Sequence, residues 1–76
     1  MSIKILVNGK ERELENEISI SEFLQKKNIR PEVITLELNE KIIKRDDYQN
    51  IFIKDSDTIE IVFFMGGGRN GYRLQG

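Results

Sequence analysis

Apolar and polar residues alternate from the start of the chain. In the segment IKILV, residues 3–7, β-branched side chains occupy every second position, and the segment stops at Asn8-Gly9. Asn-Gly readily supplies the two positive φ angles of a type I′ hairpin turn. The pattern therefore predicts a strand, a tight turn and a return strand over residues 10–14.

A helix is predicted next, in the segment ISISEFLQKKN. Ser19 is followed three residues later by Glu22, which is the spacing of an N-terminal capping box. Apolar residues that share one face of a helix follow at positions i, i+3 and i+4: Ile20, Phe23 and Leu24. We expect a short helix over residues 20–27, ended by Asn28 in the left-handed conformation.

The remainder of the chain up to residue 65 predicts strands that are separated by turns. The predicted extended segments are 33–38, 41–44, 51–54 and 58–65. The last segment has the clearest alternation and ends in an apolar run. Polar turns precede the second and the fourth segment, at residues 39–41 and 55–57. The stretch RDDYQN predicts a helical turn that places the ring of Tyr48 at the edge of the core.

Strand alternation assigns a face of the sheet to each apolar side chain. The side chains that we expect to face the helix are Ile5, Ile59, Ile61 and Phe63. Those that then face away from it are Leu6, Val62 and Phe64. Single exposed apolar residues are normal on a protein surface, but three large ones on an otherwise charged face are more than that. They favour a docking patch for partner proteins. The alternative is that a loop or the end of the chain covers them, or that strand twist carries them into the core.

The order of these elements predicts a two-layer α+β roll. A single amphipathic helix must bury its apolar stripe on one face of a sheet. The β-grasp fold, a four- to five-stranded mixed sheet with one main helix, has its elements in this order: hairpin, helix, strand, short strand and final strand. At 76 residues the chain has room for a small core and for no enclosed active-site cavity.

The composition argues against self-contained catalysis. The chain contains no Cys and no His, so it lacks thiolate nucleophiles, Cys-based metal sites and the commonest general base. Twelve basic and thirteen acidic residues give a net charge of -1, without the basic footprint of a nucleic-acid binder. No apolar run has membrane length, and we expect no signal peptide. We expect no bound metal or cofactor, no nucleic-acid or membrane partner, and a cytoplasmic location.

The chain also resembles a known family. The hairpin, the Ser-capped helix, the stretch LNEKIIKRDDY and above all DSDTIEIVFFMGGG are similar to the ThiS sulfur carriers of thiamine biosynthesis, which have a ubiquitin-like β-grasp fold. The resemblance covers residues 3–68. Its most specific part is the acidic turn, the terminal strand and the glycine run in one unbroken order. It implies that the last strand lies beside the first strand and parallel to it.

This resemblance implies a function for Gly66, Gly67 and Gly68. In the family the chain ends at the glycines, and the terminal carboxylate is adenylated with ATP and converted to a thiocarboxylate. The implied partners are a ThiF-like adenylating enzyme that uses the ATP, a thiazole synthase, and a sulfur donor such as cysteine desulfurase. The chain is then a protein cosubstrate with no catalytic residue of its own. Glycine suits this task because a tail without Cβ atoms passes through a narrow cleft.

The segment RNGYRLQG, residues 69–76, departs from the family pattern. A backbone amide at Gly68 cannot be adenylated, so residues 1–68 are expected to be the carrier domain and residues 69–76 to be absent from the working form. Either this extension is removed by proteolysis or it is foreign to the natural gene, and its lack of apolar periodicity favours the second explanation. A third alternative, Gly76 as the acting terminus, matches the family poorly.

Other functions stay open on the sequence alone. A ubiquitin-like binding module or protein modifier has the same fold without sulfur chemistry. A sulfur carrier for molybdopterin or for another sulfur-inserting pathway has the same glycine terminus. A phosphate loop at the glycines is disfavoured, because only eight residues follow them and none of these predicts a helix. The pairs Asp46-Asp47 and Asp55-x-Asp57 lack the ligand number and glycine spacing of a calcium loop and are expected to be turn carboxylates.

Overall fold

The computed structural model describes residues 2–64, which form a mixed five-stranded sheet, a two-stranded sheet and one α-helix. The strands are β1 Ile3–Val7, β2 Lys10–Leu14, β3 Ile18–Ser19, β4 Ile34–Leu38, β5 Lys41–Ile43, β6 Phe52–Ile53 and β7 Thr58–Phe63, and the helix is α1 Ile20–Lys26. Two short 3-10 turns occupy Pro31–Val33 and Arg45–Asp47. No helix within residues 2–64 has the length and the apolar character needed to cross a bilayer.

The first hairpin forms as its turn residues predict. Asn8 and Gly9 have φ angles of 51° and 82°, as a type I′ turn requires, and every residue of β1 is paired antiparallel with β2. A second tight turn joins β4 to β5, where Asn39 and Glu40 also have positive φ angles, of 52° and 73°. The second of these positions is occupied by Glu40 and not by a glycine, and a positive φ is uncommon for a side chain of this size.

The order of strands in the large sheet is β2-β1-β7-β4-β5. Strand β7 lies in the middle, parallel to β1 and antiparallel to β4. This confirms the expectation that the final strand lies beside the first and parallel to it. The two-stranded sheet was not predicted: Ile18 pairs with Ile53 and Ser19 with Phe52, so β3 and β6 join the start of the helix to the segment that precedes β7.

Helix α1 begins and ends close to the predicted bounds. The amide of Glu22 donates to the hydroxyl of Ser19 over 3.0 Å, which satisfies one of the free N–H groups of the first turn. The helix ends at Lys26, one residue before the prediction, and Asn28 takes a positive φ of 59° after it. The three predicted apolar side chains of the helix are all buried.

A single apolar core lies between α1 and the sheet. Its buried members are Ile3, Ile5, Ile18, Ile20, Phe23, Leu24, Ile34, Leu36, Tyr48, Ile53, Ile59 and Ile61. Burial of Ile5, Ile59 and Ile61 confirms the predicted inner face. Tyr48 closes the core as predicted, and its burial raises the pKa of its phenol, opposed by the charge of Arg45 and by hydrogen bonding with the backbone of Leu36.

The prediction that Phe63 is buried beneath the helix is wrong, because 54% of this residue is exposed. The pairing of β1 with β7 ends at Ile59, and the side chain of Asn8 takes the place of a neighbouring strand beside Ile61. Beyond that point β7 has a strand neighbour only on the β4 side, where Phe63 pairs with Ile34. Alternation assigns Phe63 to the correct face of the sheet, but the core that covers this face ends before Phe63.

Candidate functional site

The candidate site is the outer face of the five-stranded sheet, the face that is turned away from α1. Strand register brings side chains from all five strands onto this face, since directly paired residues point to the same side. The strand positions on it are Lys4, Leu6, Glu11, Glu13, Thr35, Glu37, Ile42, Thr58, Glu60 and Val62. Phe64 continues the alternation one position past the end of β7.

Four large apolar side chains are exposed on this face, and we call them the apolar patch. The exposed fractions are 41% for Leu6, 68% for Ile42, 58% for Val62 and 50% for Phe64. Strand register places Leu6 and Val62 on this face, and Phe64 is half exposed next to it. The role of these three residues in docking stays a prediction. The sequence analysis did not identify Ile42. Ile42 is placed on this face by its pairing with Glu37 across β4 and β5. Alternation within a strand of only three residues does not reveal this position.

Acidic side chains interrupt the apolar patch, since Glu60 lies between Val62 and the position beside Leu6, and Glu37 lies between Glu60 and Ile42. Glu37 and Glu60 are directly opposite each other on β4 and β7, a like-charge pair that destabilises a sheet in isolation. Together with Glu11 and Glu13 they leave the strand positions of the outer face with a net charge of -3, since Lys4 is the one basic residue among them. A surface of mixed apolar and acidic side chains is complementary to an apolar surface that carries Lys or Arg side chains.

The end of β7 is held to the body by hydrogen bonds on both sides. The amide of Ile61 donates to Oδ1 of Asn8 over 2.7 Å, and Nδ2 of Asn8 donates to the carbonyl of Ile61 over 3.1 Å. On the other side, the amide of Phe64 donates to the carbonyl of Val33 over 3.0 Å. The described chain is therefore anchored up to Phe64, four residues before Gly68. Gly66, Gly67 and Gly68 lie outside the described residues.

The acidic turn before β7 has a structural role. The carboxylate of Asp57 accepts from the amide of Lys54 at 2.7 Å and from Nδ2 of Asn39 at 2.9 Å, and the carboxylate of Asp55 accepts from the amide of Lys4 at 2.9 Å. These bonds join β1, the β4–β5 turn and β7. The prediction that both are turn carboxylates is confirmed, and residues 2–64 contain no cluster of acidic side chains that would hold a metal ion.

These contacts suit the described part of the chain to binding. Among residues 2–64 no charged side chain is buried, and the one buried titratable group is the phenol of Tyr48, which packs in the core. The hollows on this part of the chain are surface grooves. One of them lies at the β4–β5 end of the sheet beside Phe64, and its lining comes from both faces: Thr35 and Ile42 from the outer face, and Ile34 and Ile43 from the inner face.

Comparison with known proteins gives three consistent results. A model of the ThiS family matches residues 5–68. A sulfur carrier protein ThiS of Bacillus subtilis is 32% identical over 63 residues, which are 82% of this chain and 96% of that protein. The crystal structure of the thiamine biosynthesis protein ThiS from Geobacter metallireducens is similar with a TM-score of 0.76 and 30% identity, covering 87% of this chain and 100% of that one. This likeness confirms the predicted fold.

A further relative is much longer than this chain. A thiazole synthase of Paramagnetospirillum magneticum is 29% identical over 66 residues, which are 87% of this chain and 20% of that protein. The chain therefore spans about a fifth of the length of this relative.

Proposed function

The chain belongs to the ThiS family, and from that membership we propose that it is a sulfur carrier of thiamine biosynthesis whose chemistry takes place on the carboxylate of Gly68. The observation that carries the proposal is the extent of the family match, which ends at Gly68 although the chain continues to residue 76. Four residues separate this glycine from the last described hydrogen bond, at Phe64. When extended, four residues span roughly 13 Å, enough to enter a partner's cleft.

The first step of the proposed reaction is adenylation by a ThiF-like enzyme. A carboxylate oxygen of Gly68 attacks the α-phosphorus of ATP, pyrophosphate leaves, and an acyl-adenylate forms. The partner enzyme supplies the metal ion and the positioning groups, because phosphoryl chemistry depends on positioning and charge stabilisation. The carrier supplies a free carboxylate without a side chain nearby, which requires that residues 69–76 are removed first.

The second step replaces AMP by sulfur. A sulfur donor, such as the persulfide of a cysteine desulfurase, attacks the acyl carbon and AMP leaves; reduction of the resulting acyl disulfide by a thiol releases the thiocarboxylate. The carrier then gives its sulfur to a thiazole synthase. The similarity to a thiazole synthase over most of this chain supports that acceptor over the enzyme of molybdopterin synthesis. In this scheme the chain is a cosubstrate of enzymes rather than an enzyme.

The outer face is the proposed docking surface for the adenylating enzyme. Its apolar patch ends at Phe64, so a partner seated on the patch has its cleft close to the start of the glycine segment. Large apolar groups of this kind are frequent energetic anchors of interfaces. The glutamates among these apolar side chains add selectivity for an enzyme whose docking surface carries basic side chains, and they raise the rate of association.

Replacing Phe64 by Asp weakens binding to the adenylating enzyme at least about tenfold, because it removes a large apolar anchor and adds a charge. The free energy of unfolding changes by less than about 1 kcal/mol, since half of Phe64 is already exposed. Titration calorimetry with the enzyme and a urea melt of the free chain measure the two quantities.

The matched control for this change is Phe52→Asp. Phe52 is 49% exposed, as Phe64 is, but it lies in β6 of the small sheet rather than on the outer face. Phe52→Asp leaves the affinity for the enzyme unchanged within about twofold. Equal losses of affinity in the two variants would show that the outer face is not the docking surface.

The sulfur-carrier proposal is tested by the mass of the product. A chain that ends at Gly68 gains about 16 Da, one oxygen replaced by one sulfur, on incubation with ATP, a ThiF-like enzyme and a sulfur donor. Transfer of this sulfur to a thiazole synthase and not to molybdopterin synthase identifies the thiamine branch. A chain that binds a partner but is never adenylated by such an enzyme is instead a ubiquitin-like binding module.

A further inference from the structure

Asn8 links the first hairpin to the final strand through its side chain. Its backbone amide donates to the carbonyl of Ile59 over 2.9 Å, and both polar atoms of its side chain bond to the backbone of Ile61, over 2.7 and 3.1 Å. In the large sheet β1 lies between β2 and β7. The side-chain amide of Asn8 is therefore held toward β7, whereas the chain continues through Gly9 to β2 on the other side.

The same residue belongs to an Asn-Gly dipeptide, in which the side-chain amide can react with the next backbone nitrogen. Glycine has no Cβ, so its nitrogen is unshielded and its backbone reaches conformations that other residues resist. Asn8 and Gly9 are both exposed, and the position of a Cβ on Gly9 is open space. Solvent base therefore reaches the reacting groups. What restrains the amide of Asn8 is its pair of hydrogen bonds with Ile61.

We propose that Asn8-Gly9 is a deamidation site which the fold restrains, and that reaction there breaks the link between the first hairpin and the end of β7. Solvent base removes the proton of the Gly9 amide, and the nitrogen attacks Cγ of Asn8. The Cγ–Nδ2 bond breaks, Nδ2 takes a proton from water and leaves as ammonia, and a five-membered succinimide forms. Water then opens this ring at either carbonyl and leaves aspartate or isoaspartate at position 8.

Both products lose contacts that Asn8 makes. A carboxylate accepts hydrogen bonds and donates none, so aspartate at position 8 has no donor for the carbonyl of Ile61. Isoaspartate places Cβ in the main chain, which lengthens the two-residue turn that pairs Val7 with Lys10. Its free carboxylate is one methylene closer to the main chain and no longer reaches Ile61. The strand end that loses this link carries Val62 and Phe64 of the apolar patch.

The first measurement is the rate of deamidation of the 76-residue chain in mildly alkaline buffer, with and without unfolding concentrations of urea. Each event adds about 1 Da, the water gained less the ammonia lost, and peptide mapping assigns it to Asn8 rather than to the second such dipeptide, Asn70-Gly71. The rate at Asn8 is at least about tenfold lower without urea, because the hydrogen bonds with Ile61 must open before reaction. Equal rates in the two solutions would overturn the proposal.

Asn39 is the matched control in the same chain. It also lies in a tight turn at a positive φ, and its side chain bonds to Asp57 and to the amide of Thr58, but Glu40 follows it. In urea Asn39 gains no mass over the time in which Asn8 reacts, because the side chain of Glu40 shields the attacking nitrogen. Equal rates at Asn39 and Asn8 in urea would contradict the assignment of the reaction to the Asn-Gly dipeptide.

The second measurement is amide hydrogen exchange in the isoaspartate form, isolated by chromatography after the reaction. The amide of Ile61 has lost Oδ1 of Asn8 as its acceptor. The amide of Val62 points the other way, to β4, where Val62 pairs with Thr35. Relative to Val62, Ile61 exchanges at least about tenfold faster than in the unreacted chain. An unchanged ratio of the two exchange rates would show that the link survives the reaction and would overturn the proposed loss of contact.

Discussion

In a chain that ends at residue 68, replacing Gly68 by Val lowers the rate of thiocarboxylate formation at least about 100-fold while the fold stays intact. The two methyl groups of Val occupy the space next to the reacting carboxylate, where the proposed cleft admits only a backbone, and a displacement of even 1 Å from the reactive geometry is costly. Folding is unaffected because the buried apolar side chains of the described residues all lie between Ile3 and Ile61.

Two controls accompany this variant. Gly68→Ala adds a single methyl group and is expected to react at an intermediate rate. Binding of the Gly68→Val chain to the adenylating enzyme is expected to persist, because the outer face is unchanged. The rate is read from intact mass over time, and stability from a urea melt. A Gly68→Val chain that reacts as fast as the unmodified one would show that the acting carboxylate is not held in a narrow cleft.

Replacing Ile59 by Ala lowers the free energy of unfolding by about 2–5 kcal/mol. Ile59 is fully buried on the central strand β7, paired with Leu38 of β4 and Val7 of β1, so its removal leaves a cavity between sheet and helix. Domains of this size are marginally stable, with total stabilities near the lower end of about 5–15 kcal/mol. A loss at the upper end of this range leaves the variant partly unfolded at room temperature, and a urea melt followed by circular dichroism measures the loss.

The same chemical change at Ile42 is the control. Ile42 is exposed on the outer face, so Ile42→Ala costs less than about 1 kcal/mol. A large loss at Ile42 together with a small loss at Ile59 would show that the two faces of the sheet are assigned the wrong way round.

The local elements of this fold were predictable because short-range chemistry specifies them. Asn8-Gly9 takes the two positive φ angles that its residue types favour, and Ser19 accepts the hydrogen bond of a helix cap three residues away. The alternation along β7 places Ile59 and Ile61 in the core. In each case the information lies within a few residues of the chain.

The features that sequence analysis missed depend on contacts between distant residues. Phe63 has the predicted orientation, but its exposure depends on where the pairing of β1 ends, which the turn at Asn8 determines from more than fifty positions away. The pairing of Ile18 with Ile53 is a contact of the same kind. Short strands of two residues carry too little alternation to be recognised.

The candidate site was predicted in part for the same reason. Leu6, Val62 and Phe64 follow from alternation on long strands, whereas Ile42 and the glutamate pair at Glu37 and Glu60 join the site only through cross-strand register. Charge composition did not show that acidic side chains lie among the residues of the apolar patch. The glycine segment was recognised from its position after the terminal strand, and its chemistry stays a prediction.

The most direct test of the account is intact mass spectrometry of two chains treated side by side with ATP, a ThiF-like enzyme and a sulfur donor, one ending at Gly68 and the other at Gly76. The account predicts a gain of about 16 Da in the shorter chain and no change in the longer one, because an internal peptide bond at Gly68 has no free carboxylate to attack ATP. An equal gain of mass in both chains would contradict it and would place the acting carboxylate at Gly76.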